Sequence, residues 1–148
     1  YERHWASTVL ERVLSRLKDQ YREAGNAVLF DSLKNLLPDE PGAPSQADIA
    51  ARLNMSENAV RQAFHRFRQR YQSLLREEIA REVAETVAAL PEELRQAITL
   101  REMDGLSYEE IAETMDCPIG TVRSRIFRAR EAIDARLRPL MESQRVRP

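Results

Sequence analysis

The sequence predicts an all-α protein made of two tandem helix-turn-helix domains joined by a long helix. Three observations predict it. Apolar residues recur at three- and four-residue spacing along the chain, no stretch alternates with the period of a strand, and one 24-residue pattern occurs twice. Among 148 residues only 4 are glycine, with 43% hydrophobic and 32% charged, a composition that suits helices.

Composition also narrows the function classes. The longest uncharged apolar run, TVAAL, is far short of a membrane span, so no membrane partner is expected. The opening YERHWASTVLERVL is charged throughout, unlike a secretion signal, and its lack of Met suggests a segment of something longer or a processed chain. Cys117 is the only cysteine, which precludes an intrachain disulfide and fits the reducing cytoplasm. His4 and His65 are far apart with no ligand-spaced neighbours, so no metal is expected. There is no glycine-rich phosphate loop and no nucleophile with a supporting base, and the carboxylates recur beside arginines as on a solvated helix face. Neither an enzyme nor a cofactor is expected.

The elements follow in order. Trp5, Val9, Val13, Leu17 and Tyr21 lie about four apart, with Leu10 and Leu14 alongside, and form one stripe of a first helix in which Trp5 anchors the core. EAGNA breaks the pattern at Gly25, and Val28, Leu29, Leu33, Leu36 and Leu37 form a second stripe before the loop PDEPGAPS. Ser45 opens SQAD, a capping box with Asp48 in place of Glu or Gln, followed by Ile49, Ala50 and Leu53 and the turn NMSE. A long helix starts near Glu57 and runs through Val60, Phe64, Phe67, Tyr71, Leu75, Ile79, Val83 and Val87. Residues 70–90 hold no Gly or Pro and are rich in helix formers, so this helix is expected to run as one rod to about Ala89, where Leu90–Pro91 ends it. PEELRQAITLREM is a further helix stopped by Asp104–Gly105, and Ser107 opens SYEE, a capping box completed by Glu110. A short helix to Met115 and a last one from about Ile119 to Leu137 complete the chain. The expected division is a domain at residues 1–80, holding the first helix-turn-helix (45–68), and a domain at 81–148, holding the second (107–130).

The repeat carries the functional argument. SQADIAARLNMSENAVRQAFHRFR (45–68) aligns without a gap on SYEEIAETMDCPIGTVRSRIFRAR (107–130), an offset of 62. Ser45/Ser107, Ile49/Ile111, Ala50/Ala112, Val60/Val122, Arg61/Arg123, Arg66/Arg128 and Arg68/Arg130 are identical, and Leu53/Met115, Met55/Cys117 and Phe64/Ile126 stay apolar. Each copy is a short capped helix, a tight turn and a longer basic helix, the outline of a helix-turn-helix unit. By its place opposite Met55, Cys117 should pack beneath the turn.

The second copy puts four arginines and no acid into PIGTVRSRIFRAR, on a chain whose net charge is −1. A local basic stripe on a near-neutral chain calls for an anionic partner. At about 100° per residue, Val122, Ile126, Ala129 and Ile133 share a core-facing side. Arg123, Ser124, Phe127 and Arg128 fall on the opposite arc, flanked by Arg125 and Arg130. An exposed phenylalanine among arginines is unfavourable in water but suits a major groove, where arginine pairs with guanine and a ring meets thymine methyls. The same arc of the first copy holds Arg61, Gln62, His65 and Arg66, all hydrogen-bond donors, and is read as the weaker of the two.

LPEELRQAITLREMDGLSYEEIAETMDCPIGTVRSRIFRAREAID (90–134) closely resembles region 4, the promoter-reading region, of extracytoplasmic-function sigma factors of the sigma-70 family, in particular the envelope-stress group of proteobacteria. HWASTVLERVL together with DIAARLNMSENAVRQAFHRFRQRYQSLLREEIA is similar, more loosely and over residues 1–80, to the same region of a planctomycete-type group. Two such regions from unlike groups depart from the family's layout and suggest a fusion. The resemblance implies recognition of the promoter −35 element in double-stranded DNA, with RNA polymerase core as partner through its β flap and an anti-sigma factor as a further candidate. It implies base reading by Arg123, Ser124, Phe127 and Arg128, and phosphate contacts by Arg101, Tyr108 and Thr121, to which the flanking Arg125 and Arg130 are added. No counterpart of region 2, which binds the core clamp and melts the −10 element, is found, so this chain is not expected to initiate transcription alone. Two alternatives stand beside this reading: another helix-turn-helix regulator, and a helical module that binds only protein. The first copy is where the second alternative bears most, because Ala63 replaces Arg125 and Gln62 replaces Ser124.

Overall fold

A computed structural model of the chain describes the backbone at residues 2–37 and 42–145 and the side chains at 8–37 and 42–141. The side chains of His4 and of Trp5, the expected anchor, and residues 38–41 of the proline-rich loop lie outside what is described. Those described form helices α1 (Glu2–Glu23), α2 (Ala27–Leu33) with a 3-10 turn (Lys34–Leu36), α3 (Gln46–Leu53), α4 (Glu57–Ala89), α5 (Glu92–Glu102), α6 (Tyr108–Met115) and α7 (Ile119–Arg145). The fold is all-α, as the sequence predicts, and α4 is the expected long helix, with no interruption between Glu57 and Ala89. The chain forms two compact units, one within Tyr1–Glu78 and the other Ile79–Met141.

In the first unit Val13 and Leu17 of α1 pack with Phe30, Leu33, Ile49, Ala50, Val60, Ala63, Phe67, Tyr71 and Leu74. The rings of Tyr21, Phe30 and Phe67 meet with centroids 5.6 to 6.0 Å apart, the tilted and edge-on spacing that aromatic quadrupoles favour. Two details differ from the periodic reading. Val28, expected on the second stripe, is 67% exposed, and Phe30 takes the core position in the seven-residue α2. Leu74 is buried where Leu75 was expected. A four-residue step overshoots a helical turn by about 40°, so a stripe counted in fours drifts off the core side, and Leu74 falls closer than Leu75 to the direction set by Phe67. Near the end of this unit Glu78 is buried and accepts from Arg16 Nη1 at 3.2 Å, while Arg16 Nη2 holds Glu77 at 2.7 Å.

In the second unit Ala97, Ile98, Ile111, Val122, Ile126 and Ala129 form the core, and Val87, Leu90, Leu94, Leu100, Leu106, Met115 and Cys117 pack around it. Glu82 of α4 is buried and accepts from Arg136 of α7 through Nε at 3.3 Å and Nη2 at 3.1 Å, the partner a buried carboxylate requires. Helix α7 runs past its expected end at Leu137 and through Pro139 to Arg145. Proline in a helix interior costs about 3 kcal/mol, and burial of Leu140 just beyond it offsets part of that cost.

Candidate nucleic-acid interface

The two helix-turn-helix copies are built by the same local devices. Ser45 and Ser107 each cap the first helix of a copy: the serine Oγ accepts from the backbone N–H of Asp48 or Glu110, and that carboxylate accepts from the serine's own N–H. Both first helices end on a residue in the left-handed region, Asn54 (φ 55°) and Asp116 (φ 52°), which short polar side chains tolerate better than most. The next N–H, of Met55 or Cys117, reaches back to Ala50 or Ala112 at 2.9 and 3.0 Å and closes the turn. Cys117 packs against the second core, as its place in the repeat suggests.

This turn sets the register of α7. Val122, Ile126 and Ala129 are buried, and Ile133 is half-buried. Arg123, Ser124, Phe127 and Arg128 are all exposed, with Phe127 at 63%. The outer face of α7 is thus a basic surface with a phenyl ring in its middle.

The five residues assigned to phosphates are not equivalent. Three of them gather near one ring. Arg101, in the last turn of α5, donates to the Leu106 carbonyl at 2.9 Å and lies over the Tyr108 ring, 4.8 Å from its centroid. Arg130 Nη2 is 2.7 Å from Glu102 Oε1, and this bond, seconded by the Tyr108 hydroxyl, raises its pKa further above the usual arginine value. Arg123, assigned to bases, approaches the same ring at 5.9 Å. Arg125 stands apart and half-buried, with Nη1 3.7 Å from Cys117 Sγ and Nη2 3.7 Å from Glu93 Oε2. Thr121 is half-buried in the first turn of α7. Sequence reasoning did not place Glu93 or Glu102 at the interface. They are 32 and 28 residues from their arginines, so no helical spacing signals either pair.

In the first unit Arg61, Gln62, His65 and Arg66 are also exposed on the outer face of α4, opposite buried Val60, Ala63 and Phe67. Two differences separate the copies. His65 stands where the second copy has Phe127, and buried Ala63 stands where it has Arg125. Around Ala63 a shallow cleft is lined by Gln20, Tyr21, Leu29, Arg66 and Arg70 among others, with Arg70 Nη1 donating to Gln20 Oε1 at 2.8 Å. Burial pushes the Tyr21 phenol up, and Arg70 and Arg66 draw it part of the way back.

Among the described residues no group of His, Cys, Asp or Glu is arranged to hold a metal ion, and no helix is long and apolar enough to cross a membrane. Residues 78–133 match the family model described as sigma-70, region 4. The chain is 68% identical over 68 residues to an ECF RNA polymerase sigma-E factor of Escherichia coli strain K12, and equally to one of Salmonella typhimurium strain LT2, covering 46% of this chain and 36% of each relative. It is 64% identical over 69 residues to an RNA polymerase sigma-H factor of Pseudomonas aeruginosa, covering 47% of this chain and 36% of that protein. The chain therefore spans about a third of the length of the curated relatives it matches.

Proposed function

From the premise that residues 78–133 carry a sigma-70 region 4, we propose that this chain binds promoter −35 elements in double-stranded DNA through the outer face of α7. The observation that carries the reading is the exposed Phe127 between exposed Arg123, Ser124 and Arg128, held outward by the burial of Val122, Ile126 and Ala129. Arginine forks match the acceptor pair on a guanine edge, and the phenyl ring matches a thymine methyl. Arg101, Tyr108, Thr121, Arg125 and Arg130 contact phosphates and set the register. Arg125 and Arg130 must first exchange Glu93 and Glu102 for DNA. Both carboxylates are exposed, at 73% and 55%, so water screens each pair and the exchange costs little.

In the same reading the chain is a binding protein without catalysis or cofactor, works in the cytoplasm, and engages RNA polymerase core at the β flap, with an anti-sigma factor as a competing partner. The first unit is a second region 4, of planctomycete type, making the chain a fusion. The gap-free repeat and the shared cap and turn geometry support a second helix-turn-helix unit there. Its face of Arg61, Gln62, His65 and Arg66 binds DNA more weakly, because a polar imidazole at His65 stands where Phe127 offers an apolar ring to a methyl.

The experiment is selection of bound duplexes from a random-sequence pool, followed by titration of the winner at two salt concentrations. We expect one preferred sequence, and log affinity falling with log salt by about 0.9 for each phosphate contacted. Binding that is flat in salt, or absent on every duplex, would refute the reading and favour a module that binds protein only.

A further inference from the structure

We infer that Tyr108 is a positioning residue: its ring seats the guanidinium of Arg123 and aims it at the base it reads. The inference rests on the proposed DNA-reading role of α7 and adds a device that sharpens it.

The seat is held from several sides. Tyr108 is the first residue of α6, directly after the N-cap Ser107 and inside the capping box in which Glu110 N donates to Ser107 Oγ at 3.1 Å and Ser107 N donates to Glu110 Oε2 at 2.9 Å. The ring is half-buried and packs against the second core. Arg101, itself pinned by the Leu106 carbonyl, lies over the ring at 4.8 Å, and Arg130 interacts with the hydroxyl. Two helices and a turn therefore fix the ring before DNA arrives, and a guanidinium resting on it has fewer rotamers left to lose on binding.

The arginines of the second copy are held in chemically different ways. Arg125 and Arg130 face the carboxylates of Glu93 and Glu102, which occupy some of their N–H donors. Arg123 has no carboxylate partner among the described residues, and its guanidinium approaches the Tyr108 ring at 5.9 Å. A cation over a ring is attracted through its face. All five N–H donors at the guanidinium edge stay available for the two acceptors of a guanine. An ion pair would orient the side chain and compete with the base, whereas a ring orients it without competing.

The test uses the full chain and the duplex it prefers, with each base pair varied in turn. Tyr108→Leu should weaken binding about two- to fivefold on the preferred duplex. The loss should fall at the base pair where Arg123→Ala also loses discrimination, and the double variant should discriminate no worse than Arg123→Ala alone. Tyr108→Phe keeps the ring and should preserve discrimination, any loss of a hydroxyl–phosphate contact appearing equally on every sequence. A Tyr108→Leu variant whose loss is uniform and leaves discrimination as in Tyr108→Phe, or full additivity with Arg123→Ala, overturns the inference. Should the leucine variant unfold at lower urea than the parent, Tyr108→Met, which refills the space without a ring, is read in its place.

A second measurement needs no DNA. The Arg123 δ-protons of the parent chain should show an upfield ring-current shift that Tyr108→Phe retains and Tyr108→Met abolishes, and its absence in the parent also overturns the seat. A parent chain without sequence preference would defeat the reading of α7 itself, while the ring-current result would still decide whether the seat exists.

Discussion

Phe127 and Ile126 are neighbours in sequence, yet their replacement by alanine should have opposite consequences. Phe127 is 63% exposed, and Ile126 is 2% exposed in the second core. Truncating Phe127 removes little packing from the free protein, so its stability should change by less than about 0.5 kcal/mol. A phenylalanine carries on the order of 200 Å², so its exposed part is roughly 125 Å². Complete burial against DNA at about 25 cal/mol per Å² would contribute at most about 3 kcal/mol. Contact with one thymine methyl on one side of the ring covers roughly half of that surface. Phe127→Ala should therefore cost about 1–2 kcal/mol of binding, a factor of about ten, concentrated at the A·T pair it touches. Ile126→Ala opens a cavity and should cost about 2–5 kcal/mol of stability. Urea unfolding and duplex titration on both variants separate the two effects. A Phe127→Ala chain that unfolds as readily as Ile126→Ala would show the ring to be packed. One that binds every duplex with parental affinity would show it to be idle.

The capping boxes give a matched pair of tests: Ser45→Ala and Ser107→Ala each delete an N-cap oxygen bonded at 3.1 Å, and each should cost about 1 kcal/mol in urea unfolding. Ser→Gly should cost less than Ser→Ala, since glycine at an N-cap costs only a few tenths of a kcal/mol, and equal destabilisation would argue against an N-cap position. The Asp48 carboxyl is held below its ordinary value by the backbone N–H of Ser45 and then by the Ser45 hydroxyl. Its folded pKa thus lies below its unfolded one, so its stabilising effect is complete above about pH 4 and is lost as pH falls through the lowered value. Asp48→Asn should flatten this part of an acid titration, and an unchanged profile would count against the capping geometry. Amide exchange across residues 70–90 should show unbroken protection, as α4 has no interruption there, and fast exchange confined to 77–83 would contradict a continuous helix.

The all-α class, both capping boxes and the outward face of α7 were legible in the sequence, because each depends on residues within one or two helical turns of one another, and the repeat was legible because its two copies align without a gap. Helical periodicity alone places Val122, Ile126 and Ala129 inward and Arg123, Phe127 and Arg128 outward, and the structure agrees. The exceptions share one physical origin. Val28 and Leu75 satisfied the spacing, but a helix buries only the side its neighbours cover: Phe30 occupies that side in the short α2, and in the long α4 Leu74 does, with Leu75 partly buried at its edge. Pro139 should have ended α7, and the burial of Leu140 beyond it accompanies a helix that continues. Glu78 and Glu82 read as solvated carboxylates and are buried, because Arg16 and Arg136 reach them from other helices. The same holds at the interface. The sequence by itself determined which arginines face outward, while the tertiary structure alone decided that Arg125 and Arg130 meet Glu93 and Glu102 and that Arg123 meets a tyrosine ring. Local spacing sets the direction of a side chain, and its partner depends on contacts across many residues that no local pattern encodes.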